Sequence, residues 1–295
     1  MKWISAARPR TLFLAVASVI LGSGVAKFYG AFDPVTFMLA LLLAITMQVL
    51  ANFANDLGDF DKGTDITGKR EGPARAMQSG KITKSEMLSA IRITSVFASI
   101  LGLVLVIINL KSIVDIIVMA VIGAFCILVA IFYTVGKNAY GYKGLGDIFA
   151  FLFFGPVPVI GTFFLYTHHL NFMPVLPSIG LGIISAMVLN INNMRDIDND
   201  QLSGKSTIAV KLGLKNAKFY HVLLTFLMFA SFIGFSIIFA PTPWYRYLYV
   251  IVFVLYFKYL GEINAKKDRE LDVYLSETSI CGFILSILFV LCINL

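Results

Sequence analysis

The stretch PVTFMLALLLAITMQVLANFANDLGDFDKGTD, residues 34–65, joins a long apolar segment to a dense acidic end. Residues 34–51 are almost all apolar, and a transmembrane helix needs about 20 such residues. Asp56, Asp59, Asp61 and Asp65 follow directly. The stretch therefore predicts a membrane helix whose end carries a cluster of carboxylates.

The composition of the whole chain extends this prediction. Of its 295 residues, 58% are hydrophobic and only 14% are charged, which is more apolar surface than a soluble domain can bury. We expect an all-α, polytopic membrane helix bundle that forms a single transmembrane domain over residues 1–295. About nine spans are predicted, near 11–29, 34–56, 87–109, 112–134, 147–167, 174–195, 218–240, 243–261 and 278–294.

The distribution of basic residues predicts the orientation. With a cytoplasmic N-terminus, all of the 24 lysines and arginines except Lys27, Lys111 and Arg246 fall on the cytoplasmic side. The net charge of +7 then reports topology, and we expect no nucleic-acid partner. The basic start MKWISAARPR runs on into a span, so we expect no cleaved signal peptide.

Two acidic segments, 52–65 and 192–200, follow the second and the sixth predicted span. Both spans end at the cytoplasm, so both segments are predicted at the same face of the membrane. Each is followed by a polar loop that contains lysine or arginine. The pattern resembles a weak two-fold internal repeat with one acidic motif in each half.

The spacing within both motifs predicts oxygen ligands on one helix face. Side chains four residues apart lie on the same side of a helix. Carboxylate and amide oxygens suit a hard cation such as Mg²⁺, which also shares phosphate oxygens of its substrate. The predicted metal ligands are Asn52, Asp56, Asp59, Asn192, Asp196 and Asp200, and their four aspartates are the predicted catalytic residues. Asn55 is predicted to orient Asp56.

Basic residues near the motifs predict a diphosphate substrate. Carboxylates with Mg²⁺, together with lysine and arginine, are the groups that bind a diphosphate. Its apolar tail would lie between the helices, in contact with membrane lipid. The candidate partners are Arg75, Lys137, Arg195 and Lys205, and also Lys62 and Arg70, which serve equally well as markers of topology. Arg10, Tyr133 and Asp147, at the same face, are candidates for contact with a second substrate, for an interfacial anchor or for a helix cap.

These motifs make the chain similar to the UbiA superfamily of membrane-embedded aromatic prenyltransferases. NDLGD (55–59) resembles its first aspartate-rich motif and DIDND (196–200) its second. The runs 55–82 and 190–213, with ARPRTL (7–12) and YTVGKNAYGYKGLGD (133–147), resemble the branch that acts on 1,4-dihydroxy-2-naphthoate in menaquinone synthesis. The resemblance covers the chain to about residue 215.

The resemblance implies a fold, a reaction and a location. It implies a UbiA-like bundle in a bacterial inner membrane with its active site facing the cytoplasm. There two Mg²⁺ ions would bridge the acidic motifs and the diphosphate of a polyprenyl donor. The allylic C–O bond ionises, the ring of 1,4-dihydroxy-2-naphthoate attacks, and loss of CO₂ and pyrophosphate leaves demethylmenaquinone. No general base is needed, because decarboxylation restores aromaticity.

The sequence departs from the family pattern at two places, and it is compatible with two alternative functions. Phe60 stands where family members often have a third aspartate, so either Asp59 or Asp61 takes that role. Lys137 and Ala139 replace two prolines of the 133–143 stretch. The acceptor could instead be p-hydroxybenzoate, homogentisate or a lipid. A cation-coupled transporter is the second alternative, since carboxylates within membranes also mark ion pathways.

Overall fold

The computed structural model of the protein describes residues 2–64 and 75–295, and within those ranges it contains helices and no strand. Short 3₁₀ turns at Pro9–Thr11, Tyr140–Lys143, Trp244–Val252 and Asp268–Leu271 connect some of the helices. The helices are α1 (Lys2–Ala7), α2 (Leu12–Tyr29), α3 (Pro34–Asp61), α4 (Lys84–Asn109), α5 (Ile113–Phe132), α6 (Gly146–Phe154), α7 (Pro156–Thr167), α8 (Val175–Arg195), α9 (Ile197–Leu202), α10 (Ile208–Phe239), α11 (Phe253–Ala265) and α12 (Asp272–Asn294).

The predicted number of spans is confirmed for the described residues. There, nine helical segments are long and apolar enough to cross a membrane. Helices α6 and α7 together form one of these segments, broken at Gly155 within the sequence GPVP. The proline at position 156 begins α7, where its missing N–H is tolerated.

The sequence marks several helix starts by side-chain caps. Asp33 accepts a hydrogen bond from the backbone N–H of Thr36 at 2.7 Å, and Pro34 occupies the first position of α3. Thr83 and Glu86 form a reciprocal capping box at the start of α4. These caps satisfy backbone donors that no preceding helical turn could satisfy.

Helix α8 lies at the centre of the bundle, in contact with α2, α6, α7, α10 and α12. Its fully buried Leu181 and Ile184 belong to the same core cluster as the fully buried Phe232 of α10. Helices α4 and α5 lie at the periphery and keep large apolar side chains exposed, including Ile107 and Val121. An apolar outer surface is what contact with lipid requires, because lipid tails are themselves apolar.

Several helices extend beyond the spans predicted from hydropathy. Helix α3 continues to Asp61 rather than ending near residue 56, and α10 begins at Ile208 rather than near 218, with a kink at Gly213. Hydropathy finds the apolar part of a helix, whereas backbone hydrogen bonds continue through its polar end. For function the extension of α3 matters most, because it places the first acidic motif on a regular helix.

Candidate active site

A cavity of about 1490 Å³ lies within the bundle, and helix α3 forms a long wall of it. The lining residues of α3 recur every three or four positions, so they share one helix face. Over about 30 Å of helix, this wall changes from apolar to amide and then to carboxylate. Its lining residues are Ala40, Leu43, Ala44, Met47, Gln48, Ala51, Asn52, Asn55, Asp56 and Asp59.

The first acidic motif lies at the polar end of this wall. Asn52, Asp56 and Asp59 are buried and line the cavity, as their predicted spacing on one helix face requires. Phe60 points away from it and is 38% exposed. Asp61 accepts hydrogen bonds from Lys84 at 2.7 and 2.8 Å outside the cavity. Of the two alternatives for the third position, the structure therefore brings Asp59 to the site.

Asp59 is held by two donors from other parts of the chain. One guanidinium nitrogen of Arg75 donates to its Oδ2 and also, at 3.2 Å, to the carbonyl oxygen of Asn55. The hydroxyl of Tyr142 donates to Asp59 Oδ1 at 2.5 Å. Burial, and then the Asp59 carboxylate, raise the pKa of Tyr142 well above its usual value, so this hydroxyl stays protonated.

The second motif does not form the continuous helical stripe that the sequence predicts. Helix α8 ends at Arg195, and α9 begins after Asp196. The Arg195 side chain binds two residues of its own motif. Its Nε and Nη2 donate to the two carboxylate oxygens of Asp196 at 3.1 and 2.6 Å. Its Nη2 also donates to Asn192 Oδ1 at 2.7 Å. Asn192 and Arg195 line the cavity, whereas Asp196 and Asp200 lie outside its lining.

The two motifs meet through Lys205 and Tyr142. Lys205 lines the cavity, donates to Asp200 Oδ1 at 3.3 Å and lies 5.8 Å from the centre of the Tyr142 ring. The Tyr142 hydroxyl is also 2.6 Å from the hydroxyl of Thr64. The carbonyl oxygen of Thr64 accepts from Asn199 at 3.4 Å. A chain of hydrogen bonds thus links the first motif to the second.

Sequence reasoning missed Tyr142 and the partner of Arg195 on α12. Tyr142 lies in the stretch 133–147, where the sequence indicates only Tyr133, Lys137 and Asp147 as candidates. A tyrosine in a polar loop between two spans was the available signal for it. Asp272 accepts a hydrogen bond from Arg195, but it is distant in sequence and carried no signal of its own.

The acidic groups fit a metal bound jointly with phosphate oxygens. Among the described residues, no three His, Cys, Asp or Glu side chains form a ready-made metal site. Within those residues, the buried Oδ2 of Asp200 has no hydrogen-bond partner. Burial raises the pKa of Asp200 to about 6, against the lowering effect of Lys205. A bound cation would favour the charged form of this carboxylate, and Mg²⁺ takes one or two carboxylates with phosphate oxygens.

Of the remaining predicted substrate-binding residues, Asn55 and Lys62 lie near the first acidic motif and Lys137 does not. Asn55 lines the cavity and accepts from the Thr134 hydroxyl at 3.2 Å. Lys62 is half-buried, with its ammonium 3.8 Å from the centre of the Tyr142 ring. Lys137 is exposed and outside the cavity lining, so the structure does not bring it to the motifs. Arg70 lies outside the described residues, as does Asp65 of the first motif.

Asn52 has a structural task besides any role at the site. Its amide nitrogen donates to the carbonyl oxygen of Ala7 at 2.7 Å and to the Thr11 hydroxyl at 2.9 Å. Its amide oxygen accepts from Gln48 at 3.2 Å. Asn52 therefore joins the N-terminal segment to α3 beside the acidic motif.

Comparisons with known proteins agree with this architecture. The model of the UbiA prenyltransferase family matches residues 15–287. The chain is 44% identical to the 1,4-dihydroxy-2-naphthoate octaprenyltransferase of Escherichia coli, over 75% of this chain and 72% of that protein. It is 39% identical to the protein of the same name from Haemophilus influenzae, over 97% of this chain and 94% of that one.

Solved structures show the same fold. A UbiA homolog from Archaeoglobus fulgidus bound to DMAPP and Mg²⁺ has a TM-score of 0.71 and 12% identity, with 100% of both chains covered. Digeranylgeranylglyceryl phosphate synthase has a TM-score of 0.62 and 19% identity, covering 99% of this chain and 98% of that one. The chain is a multi-pass membrane enzyme and belongs to the UbiA prenyltransferase family.

Proposed function

We propose that the protein transfers a polyprenyl group from polyprenyl diphosphate to 1,4-dihydroxy-2-naphthoate, with loss of CO₂ and pyrophosphate. The product is demethylmenaquinone in its reduced, quinol form. The names of the E. coli and H. influenzae relatives support this acceptor. The structural observation that carries the proposal is the α3 wall, where an apolar surface leads directly to buried carboxylates. Such a wall matches a ligand with an apolar tail and a charged head.

The apolar part of the cavity accommodates the prenyl tail in this proposal. Besides α3, it is lined by Val106 of α4, Met119 of α5 and Leu165 of α7. Phe154, Pro156 and Val157, at the break between α6 and α7, line it as well. The break therefore contributes to the cavity wall. Burial of apolar surface favours binding of such a tail by about 25 cal/mol per Å².

The two acidic motifs would hold Mg²⁺ and the diphosphate between them. The residues that would hold the metal are Asn52, Asp56, Asp59, Asn192, Asp196 and Asp200. When bound, Mg²⁺ supplies positive charge to the diphosphate oxygens that gain negative charge as the C–O bond breaks. Arg75 and Lys205, which now neutralise Asp59 and Asp200, are positioned to donate to the phosphate oxygens. Arg195 remains bound to Asp196 and holds the second motif at the cavity.

The overall reaction requires no general base. The allylic C–O bond breaks, and its electron pair leaves with pyrophosphate. The electron-rich ring attacks the allylic carbon, and the ring carboxylate leaves as CO₂, which returns an electron pair to the ring. The chain's part is to bind the leaving group, to position both substrates and to exclude water from the allylic carbon.

The alternatives are weaker on this structure. The carboxylates cluster at one end of the bundle beside basic residues, whereas transporter sites lie near the middle of the membrane at broken helices. The names of the relatives favour 1,4-dihydroxy-2-naphthoate over another aromatic acid as the acceptor. We also propose that the site faces the cytoplasm of a bacterial inner membrane, since the N-terminus and basic loops lie at that end.

The test is product identification with purified protein in liposomes. The donor is a polyprenyl diphosphate with Mg²⁺, and the acceptors, tested in parallel, are 1,4-dihydroxy-2-naphthoate and p-hydroxybenzoate. We expect a prenylated, decarboxylated naphthalene product that is lost with EDTA. A prenylated p-hydroxybenzoate as the sole product would refute the acceptor and keep the transferase. Absence of product with any acceptor would refute both.

A further inference from the structure

The N-terminal basic turn, residues 8–11, forms part of the cavity wall beside the first acidic motif. Its last residue, Thr11, accepts hydrogen bonds from Asn52 at 2.9 Å and from Gln48 at 3.1 Å. Ala7, just before the turn, accepts from Asn52 at 2.7 Å. The turn is therefore fixed to α3 one helical turn before Asp56, where two substrates must meet.

Arg10 differs from three other cations of the cavity wall. Arg75, Arg195 and Lys205 each form an ion pair with a carboxylate of the two motifs. Arg10 lines the cavity and is exposed, and its side chain makes no hydrogen bond or ion pair with any described residue. Its guanidinium is thus available to an anion that enters the cavity.

Small side chains line the cavity beside this turn, which also contacts α12. Ala15 and Ser18 come from α2, and Ser276 and Ser279 from α12. The hydroxyl of Ser18 donates to the Ala15 carbonyl at 2.8 Å, and that of Ser279 donates to the Leu275 carbonyl at 2.8 Å. The hydroxyls of Ser18 and Ser279 are therefore satisfied within their own helices, and these small side chains leave room for a flat ring.

We infer that Arg10 binds the carboxylate of the aromatic acceptor and thereby selects aromatic acids over neutral naphthalenes. The inference rests on the proposed function, in which two anions share one end of the cavity. The diphosphate occupies the cations of the acidic motifs, so the second anion needs a cation that no carboxylate already neutralises. A guanidinium matches a carboxylate with two parallel hydrogen bonds.

The inference also accounts for product release. The acceptor carboxylate leaves as CO₂, so the prenylated product has no anionic group for Arg10 to hold. The quinol product therefore binds less tightly at the turn than the acid does. A neutral, apolar product can then pass from the cavity into the membrane.

Direct binding separates this role from a structural one. The probes are 1-hydroxy-2-naphthoate and its neutral analogue 1-hydroxy-2-naphthamide, titrated by calorimetry into purified full-length protein. Arg10→Gln should weaken naphthoate binding by about tenfold, the effect of losing a partly solvated charge-assisted pair, and leave naphthamide binding within about twofold. Arg10→Lys should bind naphthoate with an affinity between those of the wild type and Arg10→Gln, because lysine keeps the charge but cannot donate two parallel hydrogen bonds to one carboxylate.

Arg269→Gln is the matched control, because Arg269 is an exposed arginine at the same end of the bundle, outside the cavity lining. It should change neither affinity by more than about twofold. An unchanged naphthoate affinity in Arg10→Gln would overturn the inference. An equal loss for both probes would also overturn it, because a general disturbance of the turn does not distinguish a carboxylate from an amide.

Steady-state kinetics distinguish this inference from the proposed function. Arg10→Gln should raise the KM for 1,4-dihydroxy-2-naphthoate by about tenfold and leave the KM for polyprenyl diphosphate within about twofold. A rise in the donor KM alone would make Arg10 a diphosphate ligand and refute the inference. If the wild-type protein prenylates the naphthoate and Arg10→Gln has the same KM for the naphthoate as the wild type, only the inference fails. If wild-type protein does not use the naphthoate, the proposed function fails.

Discussion

Asp56, Asp59 and Asp61 lie within two turns of one helix, yet their surroundings differ. Asp56 and Asp59 are buried in the cavity wall, whereas Asp61 is exposed and pairs with Lys84. Burying a carboxylate is costly unless a cation or hydrogen bonds compensate. At Asp59 the guanidinium of Arg75 and the hydroxyl of Tyr142 compensate this cost. Because both buried carboxylates face the cavity, we expect them to bind a charged ligand.

These surroundings give a prediction with an internal control. Asp56→Ala should lower prenyl transfer by about 100-fold or more, because it removes a proposed metal ligand. Asp61→Ala, which removes an exposed ion pair, should lower it by less than about threefold. The measurement is the initial rate at saturating substrates and Mg²⁺. Equal losses for the two variants would show that net charge, and not the cavity-facing position, is what matters.

Tyr142 provides a second test at the same scale. Its hydroxyl orients Asp59, so Tyr142→Phe should raise the Mg²⁺ concentration for half-maximal activity by about tenfold, as loss of a hydrogen bond to a metal ligand does. Tyr29→Phe is the control, since the Tyr29 hydroxyl makes no hydrogen bond within the described residues. If the Tyr142→Phe enzyme showed an unchanged Mg²⁺ dependence, the proposed role of the Tyr142 hydroxyl in orienting Asp59 would be refuted.

The sequence allowed part of this site to be predicted. Positions four residues apart on a regular helix must share a face, so Asn52 and Asp56 were predictable from spacing alone. The contact of Tyr142 with Asp59 depends on how a loop folds over α3, and local spacing carries no information about it. The pairing of Arg195 with Asp196 was equally hidden, because it requires the helix to end at that point.

At the scale of elements, close packing of α6 against α8 fixes one wall of the bundle. A methyl group added at Gly155 would lie 2.3 Å from the Ser178 carbonyl oxygen and 2.6 Å from the Cα of Gly182. Both are backbone atoms of α8, so neither can move without shifting the helix. The break in the fifth span thus depends on the absence of a side chain at Gly155.

Gly155→Ala should therefore destabilise the protein by about 1–3 kcal/mol through overpacking. Gly234→Ala is the matched control: its added methyl group would meet only the side chain of Leu176, at 3.6 Å. A helical alanine can even stabilise by up to about 1 kcal/mol there. Thermal unfolding in detergent measures both effects. A midpoint for Gly155→Ala at or above that of Gly234→Ala would mean that α6 and α8 separate without cost.

Hydropathy predicted the spans well and their ends less well. The nine apolar segments were recognisable because lipid requires about 20 apolar residues in each. The ends of α3 and α10 were not, because their polar turns are stabilised by tertiary contacts such as those of Asp59 and Asn190. Asn190, for example, donates to the carbonyl oxygen of Ala217 at 3.0 Å, within the part of α10 that hydropathy left out.

At the scale of the whole molecule, the basic residues predict a cytoplasmic site. In a background without Cys126, Cys281 and Cys292, Arg269→Cys should react with an impermeant maleimide only after the membrane is opened. Lys111→Cys, in the connection between α4 and α5, should react in intact cells. Reaction of Arg269→Cys in intact cells would reverse the orientation. The single-domain organisation and the two-fold relation of the motifs stay predictions.

The most direct test of the account is release of CO₂ from carboxyl-labelled 1,4-dihydroxy-2-naphthoate by the purified protein. The account predicts labelled CO₂ in equal amount to pyrophosphate, only with polyprenyl diphosphate and Mg²⁺ together. Release should be lost in both Asp56→Ala and Asp196→Ala, since the two motifs hold one diphosphate. CO₂ release without the donor, pyrophosphate release without CO₂, or full activity in either variant would contradict it.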